Sequence, residues 1–416
     1  MALKPPPQRQ PQPKNNPTAG KGNGRRWWFV LGREPLLSAA EIAAVFPMAK
    51  IIYTPPILMA TADFDPKQTI QQLGGTVKIA EEMGSGLVEA DLLDQMAEEL
   101  GRVEGKIHFG VSFYGTKNGV SQAEKWGLAL KKRLKANGKS VRYVDNRGVA
   151  TLSSATVLHN GLAERGREFI IVPTGDKKYA LAKTVAIQPL EAFSERDFGR
   201  PGRDDASGLL PPKLAMMMIN CAGVPKNKIL YDPSCGSGTI LTEAMLLGYT
   251  QLFGSDISAK AVEDTKKNFA WMQNKAGATQ PRVTIFEYDI QKPPTQLDLQ
   301  QLGGIVSEPF MGPPLKGRET LQQLQQTARE LATLYLATFR SLASFLPKGA
   351  PVVYIFPRFS GVRTAELVLP KIKKMDFKVV PLLPAEFSPE PFALYQRPDQ
   401  RVGREIWKFS FEKATR

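Results

Sequence analysis

Ile229-Leu230-Tyr231-Asp232-Pro233-Ser234-Cys235-Gly236-Ser237-Gly238-Thr239 decides the fold of the second half of this chain. A short apolar strand runs into a turn with two glycines, and residues 240–247 beyond it read as a helix. That order is the geometry of a nucleotide crevice. Glycines at 236 and 238 let the backbone approach a ligand, and the helix start presents free amides. Working outward, strand character recurs at 228–231, 251–255, 283–288, 304–306, 352–356, 378–382 and 404–411. Helical stretches alternate with most of these, which predicts a doubly wound, seven-stranded α/β sheet of the Rossmann-like kind. The last strands lack a long helix between them, so an antiparallel pair is expected at one edge.

The residues around the turn narrow the ligand. A phosphate-binding loop needs Gly-Lys-Ser/Thr, and no Lys follows Gly238; a dinucleotide fingerprint wants a third glycine where Leu241 stands. Asp232 would repel a pyrophosphate but suits a cation such as the methionine ammonium of S-adenosylmethionine. Asp256 closes the next strand, where a carboxylate can hold ribose hydroxyls. Asp289 ends the third strand and can accept from an adenine amine. The expected cofactor set is therefore Asp232, Pro233, Cys235, Gly236, Gly238, Thr239, Asp256, Ile257, Asp289 and Ile290.

The 416 residues leave room for two to three domains, with 42% hydrophobic and 23% charged residues typical of a globular chain. A formal charge of +15 favours a polyanionic partner. Two cysteines and two histidines exclude a disulfide framework and a Cys/His zinc site, so no metal is expected. The N-terminus lacks an apolar signal core, and the longest apolar helix pattern, 331–346, carries Arg340 and is too short for a bilayer. A cytoplasmic protein without a membrane partner is the expectation.

Residues 1–26 hold six prolines, six basic residues and no acid, the composition of a disordered tail. Residues 27–77 read as a small α+β unit, in which Ser38 is expected to cap a helix over 39–46 with Glu41 completing a capping box. Residues 78–190 read as a second α+β unit containing a basic amphipathic helix over 121–136. Lys131, Lys132, Arg133 and Lys135 form a cluster on it that suits either solvent or RNA phosphates. Residues 191–213, rich in charge, Gly and Pro, read as the linker into the domain at 214–416.

The segment from Asp232 to Ala244 (DPSCGSGTILTEA) resembles the "DPxCGSGTxxxEA" motif of S-adenosylmethionine-dependent nucleic-acid methyltransferases. It is most similar to RNA enzymes with an N-terminal THUMP module, notably the tRNA guanosine-10 N2-methyltransferases. Arg200-Pro201, the run from Leu210 to Ala215, Asn220 and the opening run from Leu31 to Ser38 resemble the same family. The resemblance implies a ferredoxin-like unit, a THUMP-like RNA-binding unit and a C-terminal catalytic domain. It also implies S-adenosylmethionine as cofactor and tRNA as partner.

Where the family carries Asp/Asn-Pro-Pro-Tyr/Phe after the fourth strand, this chain has Ser307-Glu308-Pro309-Phe310. In such enzymes the polar residue accepts hydrogen bonds from an exocyclic amine and the ring stacks on the extruded base. Ser307 or Glu308 is the expected acceptor, Pro309 fixes the loop and Phe310 stacks. Methylation at C5 of a pyrimidine would need a cysteine nucleophile here, and none is present. The expected activity is methylation of a tRNA guanine amine. A DNA amino-methyltransferase and a non-catalytic RNA-binding protein are the alternatives.

Overall fold

The computed structural model describes residues 24–47, 49–202, 209–277, 280–292, 301–398 and 400–413. The expected tail lies outside these residues up to position 23, and Arg26 already opens the first strand.

The N-terminal half forms one mixed sheet. Its strands are β1 (Arg26–Leu31), β2 (Ile51–Thr54), β3 (Ile57–Thr61), β4 (Thr76–Leu87), β5 (Ile107–Phe113), β6 (Val141–Tyr143), β7 (Arg167–Gly175) and β8 (Lys178–Ile187), in the order β2-β3-β1-β4-β8-β7-β5-β6. The expected boundary between residues 77 and 78 therefore falls inside β4, which pairs with β1 on one side and β8 on the other. Both α+β units share this sheet. Helices α1 (Pro35–Val45), α2 (Pro66–Thr69), α3 (Glu89–Gly101), α4 (Gly119–Ala136) and α5 (Ser154–His159) accompany it. Trp126, Leu130 and Leu134 of α4 pack with Leu92 and Met96 of α3 over β5 and β7. That packing leaves the basic side of α4 in solvent.

Helix α1 corrects an expectation. It starts at Pro35, not at Ser38, and Ser38 lies inside it with its hydroxyl donating back to the Glu34 carbonyl. Proline at the first helical position needs no amide partner, so the helix begins one turn earlier than the cap pattern indicates. Glu41 is fully buried and accepts from the amides of Gly74 and Gly75, both at 2.8 Å, and from Asn220 Nδ2 at 2.7 Å.

The described residues of the expected linker, 191–202 and 209–213, are mostly in or beside helices. The linker contains α6 (Leu190–Phe198), and α7 (Pro212–Ala222) starts within it. Helix α7 packs on α1, so one apolar core runs from the N-terminal sheet into the C-terminal one. The C-terminal elements are β9 (Ile229–Asp232), α8 (Thr239–Leu246), β10 (Gln251–Asp256), α9 (Ala259–Ala276), β11 (Arg282–Glu287), β12 (Leu302–Ser307) and α10 (Leu321–Ala343). They continue with β13 (Pro351–Phe359), β14 (Val362–Arg363), α11 (Thr364–Lys373), β15 (Phe377–Val380), β16 (Ala393–Tyr395) and β17 (Gly403–Phe411). Seven strands run in the order β11-β10-β9-β12-β13-β17-β15, with β17 antiparallel to both neighbours, as the missing helix predicts. Two short strands, β14 and β16, add to that path. Helices α7, α8 and α9 cover one face, and α10 and α11 the other. Because β10 and β12 flank β9, the strand order reverses there, and the crevice opens at the carboxyl ends of β9 and β12.

Candidate active site

A cavity of about 390 Å³ occupies that crevice. The glycine turn forms its floor. Gly236 (φ 51°) and Gly238 (φ 82°) both adopt left-handed backbone, and a Cβ on Gly238 would stand 2.8 Å from the Thr265 side chain. Gly236 has no protein atom within 4 Å of its missing Cβ, so that side of the turn is open. Thr265 Oγ1 donates to the Gly236 carbonyl at 2.7 Å and fixes the turn from α9.

Asp232 ends β9 and lines the cavity, almost wholly buried. Its Oδ1 accepts from Ser307 Oγ at 2.9 Å and from the Ser234 amide at 3.2 Å. Burial drives its pKa up to about 8, against the opposing Ser307 bond. Asp256 ends β10; its two oxygens accept from the amides of Gly236 and Ser258, both at 3.0 Å. Ile257 beside it is 65% exposed and lines the cavity with Thr239. Cys235 lines it too, but burial and the nearby Asp232 raise its thiol pKa, which makes it a packing residue rather than a nucleophile. Pro233 is buried beneath the turn, and Gly238 caps α8.

Asp289 and Ile290 follow β11 but are not among the residues lining the cavity. Asp289 accepts from the Gln291 amide at 3.1 Å, and Ile290 is buried in the core beneath α10.

The fourth-strand motif separates its members. Ser307 is completely buried and its hydroxyl donates to Asp232, so it does not face the cavity. Glu308, Pro309 and Phe310 do line it. The alternation of a strand sends Ser307 beneath the sheet edge and Glu308 above it. Glu308 accepts from Arg404 Nε of β17 at 2.6 Å, both side chains being nearly buried. Burial raises the Glu308 carboxyl, and the Arg404 guanidinium opposes that rise. Phe310 is 58% exposed at the cavity mouth, and its carbonyl accepts from Tyr335 Oη at 2.7 Å.

Several supporting residues were assigned no role from the sequence, although Arg200, Leu210 and Glu243 stand in the stretches that carry the family resemblance. Arg200 is buried and donates to Thr239 Oγ1 and, at 3.4 Å, to Ser237 Oγ, clamping the turn from the linker side. Arg196 binds Glu243 of α8 through two bonds of 2.7 and 3.2 Å, which accounts for the motif's buried glutamate. Leu209 and Leu210 form one wall, and Lys260 and Asp264 of α9 another. Long-range partners such as Arg404 carry no local pattern that would reveal them. On α4, far along the chain from this cavity, Lys132 and Lys135 are exposed and Lys131 is partly so, whereas Arg133 pairs with Asp94. No cluster of metal-binding side chains occurs among the described residues, nor is any of their helices long and apolar enough to cross a membrane.

Residues 200–362 match the RMKL-like methyltransferase domain family. A tRNA (guanine(10)-N2)-dimethyltransferase of Methanothermobacter thermautotrophicus is 35% identical over 96 residues, 22% of this chain and 26% of that protein. A probable tRNA (guanine(10)-N2)-dimethyltransferase of Methanothermococcus thermolithotrophicus is 30% identical over 115 residues, 27% of this chain and 68% of that one. The matched stretch thus spans about a quarter of the first relative's length. Among solved structures, TrmN from Thermus thermophilus aligns over 93% of this chain and 99% of its own, with a TM-score of 0.53 and 16% identity. A possible methylase from Clostridium difficile 630 aligns over 94% and 99%, with a TM-score of 0.51 and 12% identity. These two likenesses speak to the fold alone, a Rossmann-like methyltransferase joined to an N-terminal α+β half. Together with the glycine turn and its strand-end acids, the relatives identify the chain as a member of the tRNA (guanine(10)-N2)-dimethyltransferase family.

Proposed function

We propose that the protein is an S-adenosylmethionine-dependent methyltransferase acting on the exocyclic N2 of a guanine in tRNA. The observation that carries this reading is the meeting of Asp232, Asp256, the open Gly236 turn, Glu308 and Phe310 around one cavity. The donor set fits the cofactor. Asp232 suits the ammonium, Asp256 the ribose hydroxyls, and the space beside Gly236 admits the methionine chain without a side-chain clash. S-adenosylmethionine, when bound, supplies an electrophilic methyl group.

The chain's own residues then orient the acceptor. Arg404 engages Oε1 of Glu308 and leaves Oε2 able to accept an N–H of the guanine amine. That bond turns the nitrogen lone pair toward the methyl group, and the raised carboxyl suits Oε2 to take the departing proton. Phe310 offers a stacking face for the extruded base. Ser307 supports the site indirectly, by holding Asp232. The N-terminal half, with its basic α4, serves on this reading as the THUMP-like RNA-binding unit. The named activity of the relatives also supports a guanine acceptor at position 10.

The test is methyl transfer from labelled S-adenosylmethionine to unmodified tRNA, followed by nucleoside mass spectrometry. N2-methylguanosine or N2,N2-dimethylguanosine is expected. Cofactor binding without transfer to any tRNA would overturn the activity, and transfer to adenine in duplex DNA would replace it.

A further inference from the structure

A second cavity, of about 470 Å³, lies between the N-terminal sheet and the methyltransferase domain, apart from the glycine turn. Helices α1 and α7 both begin in it: Glu34 and Pro211 are their N-caps, and each helix has proline at its first position. The amides of Leu36, Leu37, Lys213 and Leu214 therefore have no partner within their helices. Two eleven-residue helices thus aim the positive ends of their dipoles at one space.

Three cations line the same space. Arg33 is exposed and makes no ion pair among the described residues. Lys213 Nζ donates to the neutral Gln188 Oε1 at 2.6 Å and lies over the Phe193 ring at 5.1 Å. Arg397 Nε donates to Tyr395 Oη at 3.0 Å. None of the three has a carboxylate within ion-pair distance among the described residues. Two acids, Glu34 and Asp197, also line the cavity. Asp197 lies 3.8 Å from Arg200, and burial raises the Glu34 carboxyl against the opposing charge of Arg33. Burial and the neighbouring Arg196 charge lower the pKa of Lys213, against the opposing Asp197 carboxylate.

The two cavities adjoin. Leu209 and Leu210 wall the first, and Pro211, Pro212 and Lys213 the second, so five consecutive residues, at most roughly 17 Å of chain, connect them. We propose that the inter-sheet cavity is a phosphate site for the substrate RNA strand, with Arg33, Lys213, Arg397 and the two helix starts as its ligands. A phosphate held there fixes the strand while a neighbouring nucleotide enters the methyl-transfer cavity. This inference rests on the RNA-methylation reading above.

The experiment measures binding of an unmodified tRNA transcript by fluorescence anisotropy over a series of salt concentrations. It compares the wild type with the triple variant Arg33→Gln, Lys213→Gln, Arg397→Gln and with the charge-keeping variant Arg33→Lys, Lys213→Arg, Arg397→Lys. The triple variant is expected to bind tRNA at least about tenfold more weakly at moderate salt, with a log–log salt slope shallower by about 0.7 for each phosphate no longer neutralised. The charge-keeping variant is expected to recover most of that affinity, and retained affinity of the triple variant for S-adenosylhomocysteine shows that the fold is intact. Unchanged tRNA affinity and slope would overturn the site. A parallel titration with guanosine monophosphate separates the two sources of phosphate: tight binding of the mononucleotide, abolished in the triple variant while tRNA affinity holds, would overturn the strand assignment. Failure of the activity itself is distinguishable, because wild-type protein that binds tRNA through these residues yet transfers no methyl group refutes the reaction and leaves the site standing.

Discussion

Ser307 Oγ donates to Asp232 Oδ1 at 2.9 Å and ties the carboxyl ends of β12 and β9 together across the point where the strand order reverses. The bond does two things. It holds the Asp232 carboxyl at the cavity wall, and it removes Ser307 from the substrate side, leaving Glu308 as the polar group of the motif that faces the crevice.

Asp232 titrates at about 8, because burial outweighs the bond from Ser307. A cofactor ammonium requires the carboxylate, so binding at pH 7 is expected to release a proton. Affinity should then rise about tenfold per pH unit up to about pH 8. Calorimetry in buffers of different ionisation enthalpy reads the proton directly, and Asp232→Asn should abolish the release.

Asp256→Ala is expected to weaken cofactor binding by about 1.5–3 kcal/mol, roughly tenfold to 150-fold, through loss of charge-assisted bonds. The Gly236 amide also loses its acceptor in this variant. Titration with S-adenosylhomocysteine checks it; an unchanged dissociation constant removes Asp256 from the cofactor site.

Glu308→Gln is expected to lower kcat by about 100-fold or more while cofactor affinity holds. Arg404→Ala should cost about 3–5 kcal/mol of stability, since it leaves Glu308 nearly buried without its counter-charge. Phe310→Ala, at an exposed ring, should lose about 1–3 kcal/mol of base stacking with little change in thermal stability. Single-turnover kinetics beside thermal melts separates the three effects, and normal turnover by Glu308→Gln and Phe310→Ala together dismisses the motif as catalytic.

Glu41 titrates at about 7, raised by burial despite three donors. Its folded pKa exceeds the ordinary carboxylate value, so its contribution to stability is full below about pH 4.5 and is lost as pH rises through 7. The melting temperature should therefore decline between about pH 5 and pH 8. Glu41→Gln should melt lower, because its one oxygen accepts on only one side and its NH2 is set against the donor on the other, but with a flatter pH dependence.

Neutralising Lys131, Lys132 and Lys135 should lower the salt slope of tRNA binding by about 2, at about 0.7 per phosphate neutralised. Arg133→Ala alone should matter less, because its charge is already met by Asp94. A slope unmoved by the triple substitution assigns this face of α4 to solvent.

The segment from Ile229 to Thr239 carried the C-terminal fold by itself. Strand character, two glycines and a helix start are local properties, and the alternation of later strands and helices follows from hydrophobic period. The acids at 232 and 256 were legible for the same reason, since each ends a strand at the carboxyl edge where ligands sit. In the N-terminal half the strand runs of β1, β2, β3, β5, β6 and β7 were legible too; β4 was not, nor was β8. Its pairing between β4 and β7, which fuses two expected units into one sheet, depends on partners far away in sequence.

Tertiary structure alone decided the rest. Glu41 matches a capping box by spacing, yet the chain buries it against Gly74, Gly75 and Asn220, because proline at position 35 starts the helix early and α7 packs across it. Ser307 and Glu308 are adjacent and both polar, and only the pleat of β12 and the arrival of β17 determined that one supports Asp232 while the other meets Arg404. The cavity lined by Arg33, Lys213 and Arg397 joins positions nearly the whole chain apart. No periodicity encodes such a meeting; it exists because two sheets share a core through α1 and α7.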